Sequence, residues 1–173
     1  MTWVNAGCGT HRAPEPWVNT DVWENEDTHP DVLVTSEDPF PFPKGSIERV
    51  MLGHVLEHIP LDDMPWFLCC LESALEPGGE ILVVCPDVFR TLNLWKQGTE
   101  PWFMVESVIE HAAYPGTTEW PGALHQWNAN ERRIVEMLEV AGFEQVTALA
   151  SPPEGWPVVG WADWQCCVSA VRT

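Results

Sequence analysis

The chain has 173 residues, 26 of them acidic and 8 basic, for a formal net charge of −18 at pH 7. Nucleic-acid binders carry basic stripes that release counterions from phosphates, so this balance argues against a nucleic-acid partner. The length suits one domain, residues 1–173, and a hydrophobic fraction of 45% with 11 tryptophans suffices for a packed core.

No charged, apolar and small-residue succession opens the chain, and no apolar run approaches the roughly 20 residues of a membrane helix. A cytoplasmic protein without membrane contact is expected. Cys8, Cys69, Cys70, Cys85, Cys166 and Cys167 include no C-x-x-C spacing and sit mostly in apolar runs. They read as reduced core thiols, and no bound metal is expected.

In chain order, Thr2–Ala6 reads as a first strand that runs into the glycine turn Asn5-Ala6-Gly7-Cys8-Gly9. Residues 17–20 and 32–35 read as the second and third strands, each bounded by Pro, Asp or Asn. A fourth spans 47–52. Met64, Phe67, Leu68, Leu71 and Leu75 recur at helical spacing and predict a helix over 61–75. Asp62 and Asp63 fall in its first turn and Pro77-Gly78-Gly79 stops it. The apolar run 81–85 has the character of a strand buried on both faces of a parallel sheet.

Residues 86–125 break the alternation. Trp95, Trp102, Tyr114 and Trp120 make this an irregular insert, with room for a helix over 102–112. A second amphipathic helix is predicted over 130–141, with Gly142 as its C-terminal cap, followed by strands at 145–150 and Gln165–Val171. Strands alternating with helices specify an α/β fold, a Rossmann-like, doubly wound and mostly parallel sheet.

The glycine turn lets a ligand approach backbone N–H groups closely. Twelve residues past Gly9, Asp21 ends the second strand, at the carboxyl edge where such sheets bind ligands. A carboxylate there can accept hydrogen bonds from both ribose hydroxyls of a nucleoside. An ordinary strand-to-loop turn is the plain alternative. A dinucleotide site lacks its third glycine, and residues 10–16 leave little room for a phosphate-facing helix, so a nucleoside without a pyrophosphate suits better.

Four motifs in order are more specific: Asn5–Gly9, Asn19-Thr20-Asp21, His54-Val55-Leu56-Glu57-His58 after the fourth strand, and Leu75-Glu76-Pro77-Gly78-Gly79 before the fifth. With His125-Gln126-Trp127 and Ala141-Gly142-Phe143 they resemble the class I S-adenosylmethionine-dependent methyltransferases, in particular the small type 11-like branch. That resemblance implies seven strands with the last antiparallel, S-adenosyl-L-methionine as cofactor and S-adenosyl-L-homocysteine as product. It also implies that Gly7 and Gly9, with Asn5 or Cys8, face the methionine part, and that Asp21 holds the ribose. Val22 or Trp23 then covers the adenine, residues 35–37 (Thr35 and Ser36 among them) meet its edge, and Gly53 and His54 border the sulfonium. Many relatives carry an acidic residue where Thr35 or Ser36 stands.

His54, His125 and Asp87 are the candidate bases for an acceptor that must lose a proton; each histidine can equally well order a loop. Glu57 and His58 read as structural. His54-x-x-Glu57-His58 also spells a zinc-peptidase pattern, which needs both histidines on one face of a long helix. The insert tryptophans read first as packing, with Trp102 or Trp120 as stacking surfaces for a sugar or aromatic acceptor. The expected acceptor is a small-molecule or glycan hydroxyl or amine, and a homodimer is left open. A silent adenosylmethionine- or nucleotide-binding module and a zinc hydrolase are the rival readings.

Overall fold

The computed structural model describes residues 2–102, 104, 105, 108, 125–158 and 160–173. Its strands are β1 (Thr2–Ala6), β2 (Trp17–Asp21), β3 (Val32–Leu33), β4 (Ile47–Gly53), β5 (Leu75–Pro86), β6 (Glu144–Leu149) and β7 (Gln165–Val171). The α-helices described over their whole length are α1 (Met64–Ala74), α2 (Val88–Lys96) and α3 (Glu131–Val140). The seven strands form one sheet in the order β3-β2-β1-β4-β5-β7-β6. The first five are mutually parallel, and β7 runs antiparallel to both β5 and β6. This is the expected Rossmann-like sheet, with its last strand antiparallel.

Period-two alternation sorts the strand residues onto two faces. Val50, Leu52, Ile81, Val83, Cys85, Cys166 and Val168 pack with Phe67, Leu68 and Leu71 of α1 and Ile134 and Leu138 of α3. Met51, Leu82, Val84 and Cys167 point the other way, onto Ala13 and Trp17 and the partly buried Trp3, Trp156, Val158 and Trp161. No helical residue belongs to this second cluster among the described residues. Tryptophans cover that face instead. The Trp17 ring lies 5.4 Å from Trp3 and 5.6 Å from Trp156, and the Arg49 guanidinium sits 4.7 Å above Trp3. A ring that buries roughly 150–250 Å² of surface can cover a sheet that a loop backbone alone cannot.

The element boundaries correct the sequence reading in three places. Helix α1 starts at Met64, so Asp62 and Asp63 precede it; Asp63 is its N-cap residue without a side-chain cap bond. The helix ends before Pro77-Gly78-Gly79, because Leu75 already has extended backbone and enters β5. The Pro-Gly-Gly run is therefore an irregularity in the β4–β5 pairing, where Ile47 faces Leu75 but Arg49 faces Glu80. Gly79 is needed there, since a Cβ would stand 2.9 Å from the Glu76 carbonyl oxygen. Strand β3 stops at Leu33, two residues before Thr35 and Asp38 close a turn on each other. Of the helix expected over 102–112, Trp102, Met104, Val105 and Val108 are helical; its other residues, with Tyr114 and Trp120, lie outside the described residues. Helix α3 and its caps Asn130 and Ala141 match expectation, with Gly142 at φ +90° behind them. No helix among the described residues is long and apolar enough to cross a membrane.

Residues 7–16 join the parallel strands β1 and β2 without a helix. Two buried asparagines hold this connection. Asn5 Nδ2 donates to the His11 carbonyl (3.1 Å) and to Asn19 Oδ1 (2.9 Å). Asn19 Oδ1 also accepts the Ala13 N–H (2.7 Å), while its Nδ2 donates to the Ala13 carbonyl and to Asp31 Oδ2, both at 3.0 Å. The Asn19 amide, 1% exposed, thus makes four bonds. The Asn19 backbone N–H and Arg12 also bond the Asp31 carboxylate and hold its pKa below the usual carboxylate value. Replacing Asn19 by Ala strands several buried polar groups at about 1–3 kcal/mol each. Asn19→Ala is expected to lose about 3 kcal/mol of stability in urea unfolding; a loss under about 1 kcal/mol contradicts this account of the connection.

Candidate active site

A cavity of about 480 Å³ opens at the carboxyl ends of β1, β4 and β5. Asn5 and the turn Gly7-Cys8-Gly9-Thr10-His11 form one side, Met51, Gly53, His54 and Val84 the next. His58, His125, Pro157, Val158 and Gln165 complete the lining. Parallel strands place their carboxyl ends, and hence their following loops, on one edge. The antiparallel β7 brings its first residue, Gln165, to that edge opposite Pro86.

The turn has φ +63° at Gly7 and +50° at Gly9, the left-handed region that side chains avoid. A Cβ on Gly7 would stand 2.5 Å from Val55 Cγ2, whereas one on Gly9 would meet nothing within 4 Å. Gly7 is thus required by packing and Gly9 by backbone conformation. The Gly9 N–H donates to Asp21 Oδ2 (2.8 Å) and the Trp23 N–H to Oδ1 (3.1 Å), which pins the carboxylate at the end of β2. Each oxygen retains a lone pair for a further donor. Burial, with the Asp21 carboxylate adding to it, pushes the Cys8 thiol up to about 11, so it stays protonated at neutral pH.

The expected cofactor residues therefore fall into two groups. Asn5, Gly7, Cys8, Gly9, Gly53 and His54 line the cavity. Asn5 does so with both amide hydrogens already committed. Asp21 lies just behind the turn, bonded to it. Val22, Thr35 and Ser36 are exposed, in the loops that follow β2 and β3, and outside the cavity lining.

The three candidate bases separate more sharply. Asp87 is not in the cavity. It is buried as the N-cap of α2, where Oδ1 accepts the Phe89 and Arg90 N–H groups and Oδ2 accepts the Glu131 N–H at the start of α3. One carboxylate thus caps two helices, which corrects its reading as an acceptor-facing group. His54 lines the cavity with left-handed backbone, φ +57°. Its Nδ1 lies 3.1 Å from Glu57 Oε1 and its Nε2 lies 2.5 Å from Gln165 Nε2. Gln165 Oε1 accepts the Ala162 N–H, so its amide nitrogen must be the group that donates to His54. This fixes His54 with its proton on Nδ1 and its lone pair turned to Gln165. His125 also lines the cavity, and its Nδ1–H donates to the Val108 carbonyl (3.0 Å).

Glu57 is fully buried behind these histidines. Its Oε1 accepts a hydrogen bond from His54 Nδ1–H and its Oε2 one from the Cys85 thiol (3.4 Å). Burial pushes its pKa up, but the hydrogen bond from His54 and the attraction of His54 and His58 outweigh it and hold the carboxyl below its ordinary value. The Cys85 thiol is raised well above its own, by burial first and then by the Glu57 charge. The H-x-x-E-H run folds as a three-residue 3-10 turn, Leu56–His58, not as part of a long helix. The zinc-peptidase arrangement therefore has no basis in these residues.

No protein-family model and no curated protein matches the sequence. Solved structures do match by shape. A methyltransferase from Thermotoga maritima superposes with a TM-score of 0.65 at 14% identity, covering 99% of this chain and 82% of that one. An S-adenosylmethionine-dependent methyltransferase from Archaeoglobus fulgidus gives 0.61 at 14% identity, covering 98% and 85%. A Burkholderia thailandensis 1,6-didemethyltoxoflavin-N1-methyltransferase, solved with 1,6-didemethyltoxoflavin and S-adenosylhomocysteine, gives 0.56 at 15% identity, covering 99% and 71%. The fold is that of the class I methyltransferases. At these identities the likeness is one of fold.

Within this class I fold, Gln165 is the residue the sequence reading missed. Its signal was a polar side chain at the head of the apolar strand β7, where it is 3% exposed. ¹⁵N NMR of the histidine rings is expected to show His54 protonated at Nδ1, with the Nε2 resonance moving in Gln165→Leu. A proton on Nε2 in the wild type contradicts the assigned geometry.

Proposed function

We propose that the protein is an S-adenosylmethionine-dependent methyltransferase, working as one domain on a small-molecule or glycan hydroxyl or amine. The observation that carries this reading is the helix-free glycine turn, bonded to the Asp21 carboxylate and open to a cavity between β1 and β4.

The residues present fit the cofactor. A Cβ on Gly9 would meet no atom within 4 Å, so the turn is open on that side. Asp21 is oriented by two backbone donors and keeps two lone pairs for the ribose diol. Val22, 53% exposed, offers an apolar surface beside it for the adenine, and Thr35 and Ser36 are within the exposed loop that follows β3. S-adenosyl-L-methionine supplies a methyl group already activated by its sulfonium, and S-adenosyl-L-homocysteine leaves. The protein's own work is then to hold acceptor and donor in line and to keep water out. Gly53 and His54 close the β4 side, and Pro157 and Val158 add an apolar border. A base is needed only where the acceptor must lose a proton; His54 and His125 border the cavity and Asp87 does not. The unpaired thiols suit a reduced compartment, in keeping with a cytoplasmic location.

Calorimetric titration with S-adenosyl-L-homocysteine is expected to show micromolar binding to the wild type. Asp21→Ala is expected to weaken it about 10- to 100-fold, in line with hydrogen bonds to a charged group. Folded wild type that releases no heat, or an Asp21→Ala protein that binds as well, contradicts the proposal. Binding without turnover on any hydroxyl or amine acceptor favours a silent binding module.

A further inference from the structure

At the wall of the cavity lies a cluster that the methyl-transfer reading does not use as a unit. Glu57, His58 and His125 each place one donor atom so that all three lie within 4.8 Å of one another. We propose that these three side chains bind one divalent transition-metal ion, with its remaining coordination positions open to the cavity. The rival zinc reading of the sequence rested on His54 and His58, whereas His58 and His125 are far apart in the chain and no local spacing joins them.

The fold brings them together through backbone pins. The Gln126 N–H donates to the Glu57 carbonyl (2.7 Å), and the Trp127 indole N–H is shared between the Leu56 (3.0 Å) and Ile59 (3.2 Å) carbonyls. These bonds hold the chain at residues 125–127 against the 3-10 turn. The His58 and His125 rings accordingly lie 5.0 Å apart, edge to face.

The donor chemistry is that of a borderline cation. Two imidazole nitrogens and one carboxylate oxygen suit Zn²⁺ or Mn²⁺ and are a poor match for the all-oxygen shells of calcium. Donors about 2.0–2.2 Å from one ion stand roughly 3–3.5 Å apart, so small side-chain rotations close the site. The supporting contacts resemble those that orient metal ligands. The His125 Nδ1–H bond to the Val108 carbonyl sets the tautomer with the lone pair on Nε2. The His54 and Cys85 protons hold the two Glu57 oxygens, each of which keeps another lone pair. His54 is thus an outer support of this site and not a ligand.

The site is open on one side. His58 and His125 line the cavity while Glu57 is fully buried behind them. Three protein ligands with vacant positions distinguish a site that engages a ligand from a closed structural one. Taken with the methyltransferase reading, on which this one step rests, an acceptor oxygen or nitrogen in the cavity can occupy a vacant position. Metal binding itself does not depend on that reading.

The test uses the full chain, stripped with a chelator and titrated calorimetrically with ZnCl₂ and with MnCl₂. One equivalent of at least one of these ions is expected to bind. His58→Ala and His125→Ala are each expected to weaken binding at least about tenfold, while His29→Ala, outside the cluster, binds as the wild type does. Circular dichroism checks that the variants fold. Should either fail to fold, the Co²⁺ spectrum of the wild type decides: weak d–d bands without thiolate charge transfer support an N/O site. Strong thiolate charge transfer, absence of binding, or wild-type affinity in both folded variants overturns the proposal. S-adenosyl-L-homocysteine binding, measured separately on the stripped protein, shows whether the cofactor reading stands independently of this one.

Discussion

The cavity depends on one buried interaction, the amide pair of Asn5 and Asn19 between β1 and β2. In a parallel sheet the connection between neighbouring strands is ordinarily a helix, which satisfies its own backbone groups. Here ten residues, 7–16, make the crossing without one. The two amides supply the missing partners by bonding the Ala13 and His11 backbone. With the loop fixed, the left-handed glycine turn is fixed, and the Gly9 N–H reaches Asp21. The space a helix would have used near the strand ends is bordered instead by residues 7–11 of this loop.

The same economy explains why tryptophan is so abundant. One face of the sheet has α1 and α3 to cover it; among the described residues the other has loops and strand side chains. Loops expose backbone and carry few apolar atoms, so large rings must close the gap, and Trp3, Trp17, Trp156 and Trp161 do so. The loop that carries Trp156 and Trp161 also carries Pro157 and Val158, which border the cavity. Packing of the second face and shape of the site are therefore coupled through one segment.

Much of this was legible in the sequence because its signals are local. Glycine at positions 7 and 9, an acid at the end of the following strand and apolar periodicity each mark a conformation within a few residues. The misreadings came where one local signal has two physical causes. Pro77-Gly78-Gly79 could end a helix or distort a strand pairing, since both use left-handed glycine, and Gly78 has φ +82°. Asp87 at a strand end could face a ligand or cap a helix; the Phe89, Arg90 and Glu131 N–H groups take its carboxylate. What could not be read was long-range. Gln165 reaches His54 only because β7 is antiparallel, and His125 meets His58 only because Gln126 and Trp127 bond the 3-10 turn.

The central claim is that the glycine turn and the end of β2 together hold S-adenosyl-L-methionine or its product. Amide-resolved NMR of ¹⁵N-labelled protein, titrated with S-adenosyl-L-homocysteine, tests it most directly. Shifts are expected to concentrate at Gly7, Gly9, Asp21, Val22 and Gly53, with Val140 on the exposed side of α3 unmoved. Unchanged spectra at saturating ligand, or shifts confined to residues away from the turn, would contradict it.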